Sequence, residues 1–229
     1  QAYTSVNISR KEMMKYLKIG ADNNNTFCIY FYASYIGDKD KNEKIRYLKK
    51  GDELGDIKCT YSLGKELIYD KSLALYPEEC AFYLEKAANK TKDGTEAFDY
   101  AMELQSGFHI TQNEQKASKY FKLAADKGNI DAISEYYSCI KNERSMNKNS
   151  VDDKEFLKYM KIGAQNDLPE CMYDYAMTLK NSKEYGLLFD DEEVKQYPEL
   201  IKKAAEKNYG KAVFVYSLML KNGDGFPVD

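Results

Sequence analysis

At 229 residues, with 43% hydrophobic and 31% charged residues, the chain has the length and the apolar content to bury a sizeable interior. Its 34 basic and 37 acidic residues nearly cancel, to a net charge of −3, and are spread evenly, which removes any electrostatic case for nucleic acid or an anionic membrane as partner. No apolar run approaches the roughly 18 to 20 residues of a membrane-spanning helix, and the opening QAYTSVNISRKEMMKY lacks the basic start and apolar stretch of a secretory signal.

In chain order, two kinds of helical signal alternate. The first kind, B, is expected over 9–21, 40–53, 77–90, 112–127, 152–166 and 190–207. The second, A, is expected over 26–36, 56–69, 94–106, 129–142, 168–182 and 210–222. Pro77 with Glu78 and Glu79 suits a helical first turn, where proline sacrifices no hydrogen bond and acids complement the dipole. Pro169 opens its A helix in the same way, Gly128 marks a reversal, and Pro198 must bend or interrupt the last B helix. The connections over 143–150 and 181–189 are long and polar and read as surface loops.

The alternation is a true repeat. Aromatic anchors stand at Tyr16, Tyr47, Tyr83, Tyr120 and Tyr159, with Leu200 substituting in the sixth copy, at steps of 31, 36, 37, 39 and 41 residues. A period in that range means stacked helix pairs. Four residues after each anchor the chain is small, as Gly20, Gly51, Ala87, Ala124, Gly163 and Ala204, which lets helices cross closely. Cys28, Cys59, Ala132, Cys171 and Ala212 follow eight residues later, and in the third copy Glu96 or Ala97 takes that place. The apolar series Ile36, Leu67, Ile140, Leu179 and Leu220 completes a buried stripe on each A helix. Tyr30, Tyr61, Phe98, Tyr173 and Phe214 point away from that stripe and give the A helices a second apolar face.

This pattern resembles the Sel-one-like repeat family, a branch of the tetratricopeptide-like solenoids, over essentially the whole chain. The closing LKNGDGFPVD, with Gly223, Gly225, Pro227 and Asp229, is similar to the family's Gly-rich loop, whereas the other loops have lost the double glycine. The resemblance implies an all-α fold: a right-handed α/α superhelix, or solenoid, of about six helix-turn-helix repeats, forming a single array over residues 1–229. The chain opens on a B helix without its A helix and closes on an A helix without its B helix, so the array is expected to continue beyond at least one end.

No catalytic constellation emerges. The only histidine, His109, follows Gly107 in a loop and reads as solvated, with no nucleophile that the repeat frame places beside it. Asp152-Asp153 and Asp190-Asp191 lie where helix caps are needed. Five cysteines, odd in number and without a CxxC pair, argue for packing thiols rather than disulfides or a metal site. The expectation is therefore a chain with no enzymatic activity, cofactor or metal. Reduced thiols favour the cytoplasm, although the sequons at Asn7, Asn24 and Asn89 would permit glycosylation in the secretory route.

The family resemblance implies a scaffold or adaptor that binds a partner protein or extended peptide on the concave face of its A helices. The alternative is the targeting or regulatory arm of a larger kinase or hydrolase. The repeat frame places on that face an acidic middle, Glu66, Asp99, Glu103, Glu135 and Asp174, between apolar ends, Phe31 with Tyr35 and Val215 with Met219. A basic peptide with hydrophobic anchors would complement it.

Overall fold

The computed structural model describes residues 9–69, 77–147, 150–182 and 189–224. Among them all regular structure is helical. The B helices are α1 (Arg10–Asp22), α3 (Lys41–Glu53), α5 (Pro77–Ala88), α7 (Glu114–Asp126), α9 (Asp153–Gln165) and α12 (Tyr197–Glu206). The A helices are α2 (Thr26–Ile36), α4 (Ile57–Tyr69), α6 (Thr95–Ser106), α8 (Ile130–Met146), α10 (Pro169–Lys180) and α13 (Gly210–Asn222). A single-turn helix, α11 (Asp191–Val194), precedes α12.

The punctuation explains the limits. Side chains of Ser9, Asn25, Asp40, Asn129, Asp152 and Asp190 each accept a backbone N–H in the first turn of the helix they precede. Every B-to-A turn contains a left-handed residue: Asn24, Gly55, Gly94, Gly128, Asp167 or Asn208. The bend or interruption expected at Pro198 is a break, with Pro198 in the first turn of α12 after the separate α11. Helix α8 runs four residues past its expected end, through Met146, where Arg144 bonds the Val151 carbonyl and Asp153.

The chain forms two compact units, Gln1–Ala124 and Ala125–Asp229, with the boundary in the last turn of α7. Inside each unit an anchor tyrosine on a B helix packs edge-on against a tyrosine of the A helix before it. In unit 1 these pairs are Tyr32–Tyr47 and Tyr100–Tyr120, at centroid separations of 4.8 Å, and in unit 2 the pair is Tyr136–Tyr159, at 4.7 Å. The A-helix stripe is buried at Ile36, Leu67, Leu104, Ile140 and Leu179. In the third copy Ala97 takes the small position and is fully buried.

Helix α13 departs from the frame. Leu220 is 42% exposed, while its neighbour Met219 is 2% exposed and joins Ala176, Tyr197 and Ile201 in the core of unit 2. Phe214, expected on a second packed face, is 65% exposed. Val213, on the same helix, is 45% exposed. The expected loop residues Gly225, Pro227 and Asp229, the sequon residue Asn7 and parts of both long connections, 148–149 and 183–188, lie outside the described residues.

Candidate partner-binding face

The acids expected to line a free face are mostly bonded to the neighbouring A helix. In unit 1, Tyr61 and Lys65 stand one turn apart on α4, and Asp99 and Glu103 one turn apart on α6. Tyr61 donates its hydroxyl to Asp99, and Lys65 Nζ lies 3.8 Å from Glu103 Oε1. Two rungs thus cross between adjacent A helices. The other oxygen of Glu103 is 2.7 Å from His109 Nδ1, so His109 is not the solvated loop residue expected from sequence; its ring folds back onto α6. Glu66 pairs instead with Lys44 on α3.

Unit 2 repeats the device with different positions. From α8, the Tyr137 hydroxyl donates to Asp174 Oδ2 at 2.8 Å, and Lys141 bridges Asp174 and Glu170 of α10. Burial first, and the Asp174 carboxylate second, hold the Tyr137 hydroxyl protonated far above its ordinary range. Between α10 and α13 the rungs turn apolar: Tyr173 and Met177 pack onto the cluster that contains Met219, together with Val215. Met219 is therefore a core residue and is removed from the exposed face on which the repeat frame had put it. Val215 is half-buried.

Glu135 on α8 is half-buried and has no side-chain hydrogen bond or ion pair among the described residues. On α2, Phe31 packs tilted against Phe27 at 4.4 Å and stacks with Tyr35 at 6.4 Å; Phe27 and Tyr35 are 67% and 41% exposed. The frame had missed Phe27, although its place one turn before Phe31 signals it.

A local groove, which sequence reasoning had not singled out, lies on the B helices of unit 1. It is an open groove of about 490 Å³ between α5 and α7, lined by Glu85, Asn89, Lys116 and Tyr120. The Tyr120 hydroxyl bonds Glu85 at 2.9 Å and Asn89 at 3.0 Å, and Lys116 bonds Glu85 at 2.7 Å. Burial opposes ionisation of Glu85, but the hydrogen bonds from Lys116 and Tyr120 outweigh it and hold the carboxyl below its usual range. Among the described residues, no group of three or more His, Cys, Asp or Glu side chains is placed to hold a metal, and no helix is long and apolar enough to cross a membrane.

No protein-family model and no curated protein matches the sequence. Solved structures do. A Sel1 repeat protein from Oxalobacter formigenes aligns over 95% of this chain and 62% of its own, with a TM-score of 0.71 and 20% identity. A protective antigen present in uropathogenic Escherichia coli strains, displaying an SLR fold, aligns over 98% of this chain and 55% of its own, with a TM-score of 0.56 and 19% identity. The chain thus spans less than two thirds of the length of either structure. The chain has the helix-pair fold of the Sel1-type repeat proteins.

Proposed function

We propose that this chain is a non-catalytic scaffold that binds a partner protein or an extended basic peptide along its A helices, at Glu66, Asp99 and Glu103 in unit 1 and at Glu135 and Asp174 in unit 2. The observation that carries the reading is the bonding of Asp99, Glu103 and Asp174. Tyr61, Lys65 and His109 hold Asp99 and Glu103 in fixed orientation, as Tyr137 and Lys141 hold Asp174. A carboxylate already held in place loses little side-chain entropy when a cation binds it. Its internal partners also neutralise part of its charge, so the attraction is shorter in range than an unpaired acidic stripe would give.

The test is selection of displayed random peptides on the immobilised 229-residue chain. Selected peptides should be enriched in Lys and Arg, their binding should weaken with salt, and Glu135→Lys or Glu66→Gln should weaken it further. Selection of peptides without basic residues, or binding that ignores both variants, would remove the acidic stripe from the reading.

A further inference from the structure

One place in the repeat frame breaks its own rule inside unit 2. Seventeen residues after each anchor, or eighteen in the longer third copy, the A helices carry Ala33, Gly64, Ala101 and Ala176, but α8 carries Tyr137. The three alanines are fully buried, and a Cβ on Gly64 would lie 2.8 Å from Leu84 Cδ2 and 3.2 Å from the Leu84 backbone nitrogen. The small residue is what lets the next B helix close onto the A helix. With tyrosine in that place, α9 cannot close on α8 in the same way. The Tyr137 ring stacks instead on Phe156 of α9, at 5.4 Å between centroids and 24° between planes. Phe156 itself stands where α5 and α7 carry the smaller Cys80 and Ala117. Departures from a local packing rule are expected where a site is built.

Beside this aromatic pair, and wholly within unit 2, a pocket of about 230 Å³ opens between α8, α9 and α10. The Tyr137 ring shares its apolar lining with Phe156, Met160 and Met177. Thioether side chains are flexible and polarisable, so they adapt to an entering apolar group. The polar lining, by contrast, is held in place. Asp174 Oδ2 accepts from both Tyr137 and Lys141, Lys141 also reaches Glu170 at 2.7 Å, and the Thr178 hydroxyl donates to the Asp174 carbonyl at 2.8 Å. Asp174 Oδ1 has no hydrogen-bond partner among the described residues. The carboxylates of Asp174 and Glu170 outnumber the ammonium of Lys141, so the pocket keeps a net negative charge.

We propose that this pocket is the anchor site for the partner peptide and takes a Leu- or Met-sized side chain from it. The proposal rests on the peptide-binding reading and gives it a sequence preference. Size sets the class of occupant: small-molecule sites span about 300 to 1,000 Å³, more than is available here, whereas one apolar side chain fills the space. Charge sets its neighbour, since a Lys or Arg one or two residues away in the peptide would reach Asp174 Oδ1 and meet the net negative charge. The apolar anchor is thereby moved from Val215 and Met219, where the repeat frame put it, to a pocket that exists because Tyr137 replaces a small residue.

The experiment extends the displayed-peptide selection on the 229-residue chain. The strongest selected peptide, and its copy with alanine at the apolar anchor, are titrated by fluorescence anisotropy against the parent protein and against Thr178→Phe, which fills the pocket and leaves the acids in place. Circular dichroism checks the fold of the variant. The Met160 and Met177 methyl NMR signals of the parent protein are followed during the same titrations. Selected peptides should carry Leu or Met within two residues of Lys or Arg. Alanine at the anchor should weaken binding to the parent about tenfold or more, and to Thr178→Phe less than about twofold. Both methyl signals should move with the selected peptide. A peptide that binds in a salt-dependent way, yet loses nothing on the alanine exchange and leaves both methyl signals in place, would overturn the pocket and leave the acidic stripe standing; this arm needs no protein variant. Peptides that need the anchor and the open pocket but carry no basic residue would support the pocket and remove the acidic stripe. A chain that selects no peptide at all would overturn both.

Discussion

Gly163 and Cys171 are two halves of one close contact between α9 and α10: a Cβ on Gly163 would lie 2.3 Å from Cys171 Sγ and 2.7 Å from its Cβ. The same fit recurs at Gly20 with Cys28, 2.4 Å, and at Gly51 with Cys59, 2.3 Å. Where the first position is alanine, as Ala204, the second is alanine too, Ala212, and both are fully buried. The repeats fill one crossing with two partitions of nearly the same volume.

Gly163→Ala should therefore destabilise the protein by about 1 to 3 kcal/mol through overpacking. Cys171→Ala alone should cost about 1 kcal/mol by opening a small void. The double variant should recover most of the loss, because it rebuilds the alanine pair and gains helix propensity of about 1 kcal/mol at position 163. Urea denaturation of the four proteins measures the coupling, and strictly additive losses would show that the two side chains do not share the space.

The bonding of the A helices makes a second prediction. Asp174→Lys should lower stability by about 1 to 3 kcal/mol, since it strands the Tyr137 hydroxyl and repels Lys141. Glu135→Lys, with no side-chain partner lost, should stay within about 0.5 kcal/mol of the parent protein. Thermal melts at matched ionic strength compare them, and equal losses would contradict the bonding pattern.

The helix limits and the tight crossings were legible because both follow from local chemistry. Proline and capping residues mark the ends, left-handed Asn, Asp and Gly mark the turns, and a small residue recurs at a fixed distance from each anchor. The face of the A helices was less legible. Periodicity shows that Asp99 and Glu103 share a side with each other, but not that Tyr61 and Lys65, 38 residues earlier, lie against them. Met219 and Leu220 differ by one position, about 100° around the helix, and only the placement of Tyr197 and Ile201 decides which is buried. His109 carried no signal beyond its spacing from Glu103 across the turn at Gly107.

All five cysteines are free, and their surroundings rank them. Burial first, then the Glu170 and Asp174 carboxylates, push the Cys171 thiol up to about 12, and burial raises Cys59 and Cys80 as well. Thiolate is the reactive form, so these three should resist a thiol reagent in the folded protein near pH 8. The half-buried Cys28 and Cys139 should react first, and all five should titrate in denaturant without reductant. Rapid labelling of Cys171 in the folded state would contradict its packing against Gly163.

The tyrosine–carboxylate bonds predict loss of stability in alkali. Burial first, and the hydrogen bond to Asp22 second, push the Tyr47 hydroxyl up to about 12; Tyr120 reaches about 12 through burial and Glu85. Tyr136 and Tyr159 are raised further by burial and by Glu155 and Asp126 respectively. In the unfolded chain a tyrosine ionises near pH 10. Above that pH the unfolded state releases protons that the folded state retains, so unfolding becomes progressively favoured until the folded hydroxyls themselves ionise. The stability these groups contribute is complete below about pH 9 and is lost as pH rises toward about 12. Urea midpoints should accordingly fall across that range, with tyrosinate absorbance appearing together with unfolding rather than before it. Replacing Tyr47, Tyr120, Tyr136 and Tyr159 by Phe should flatten the decline, at the expense of lower stability at neutral pH. Tyrosinate that forms fully near pH 10 while the helices remain intact would show that these hydroxyls are not held by the carboxylates.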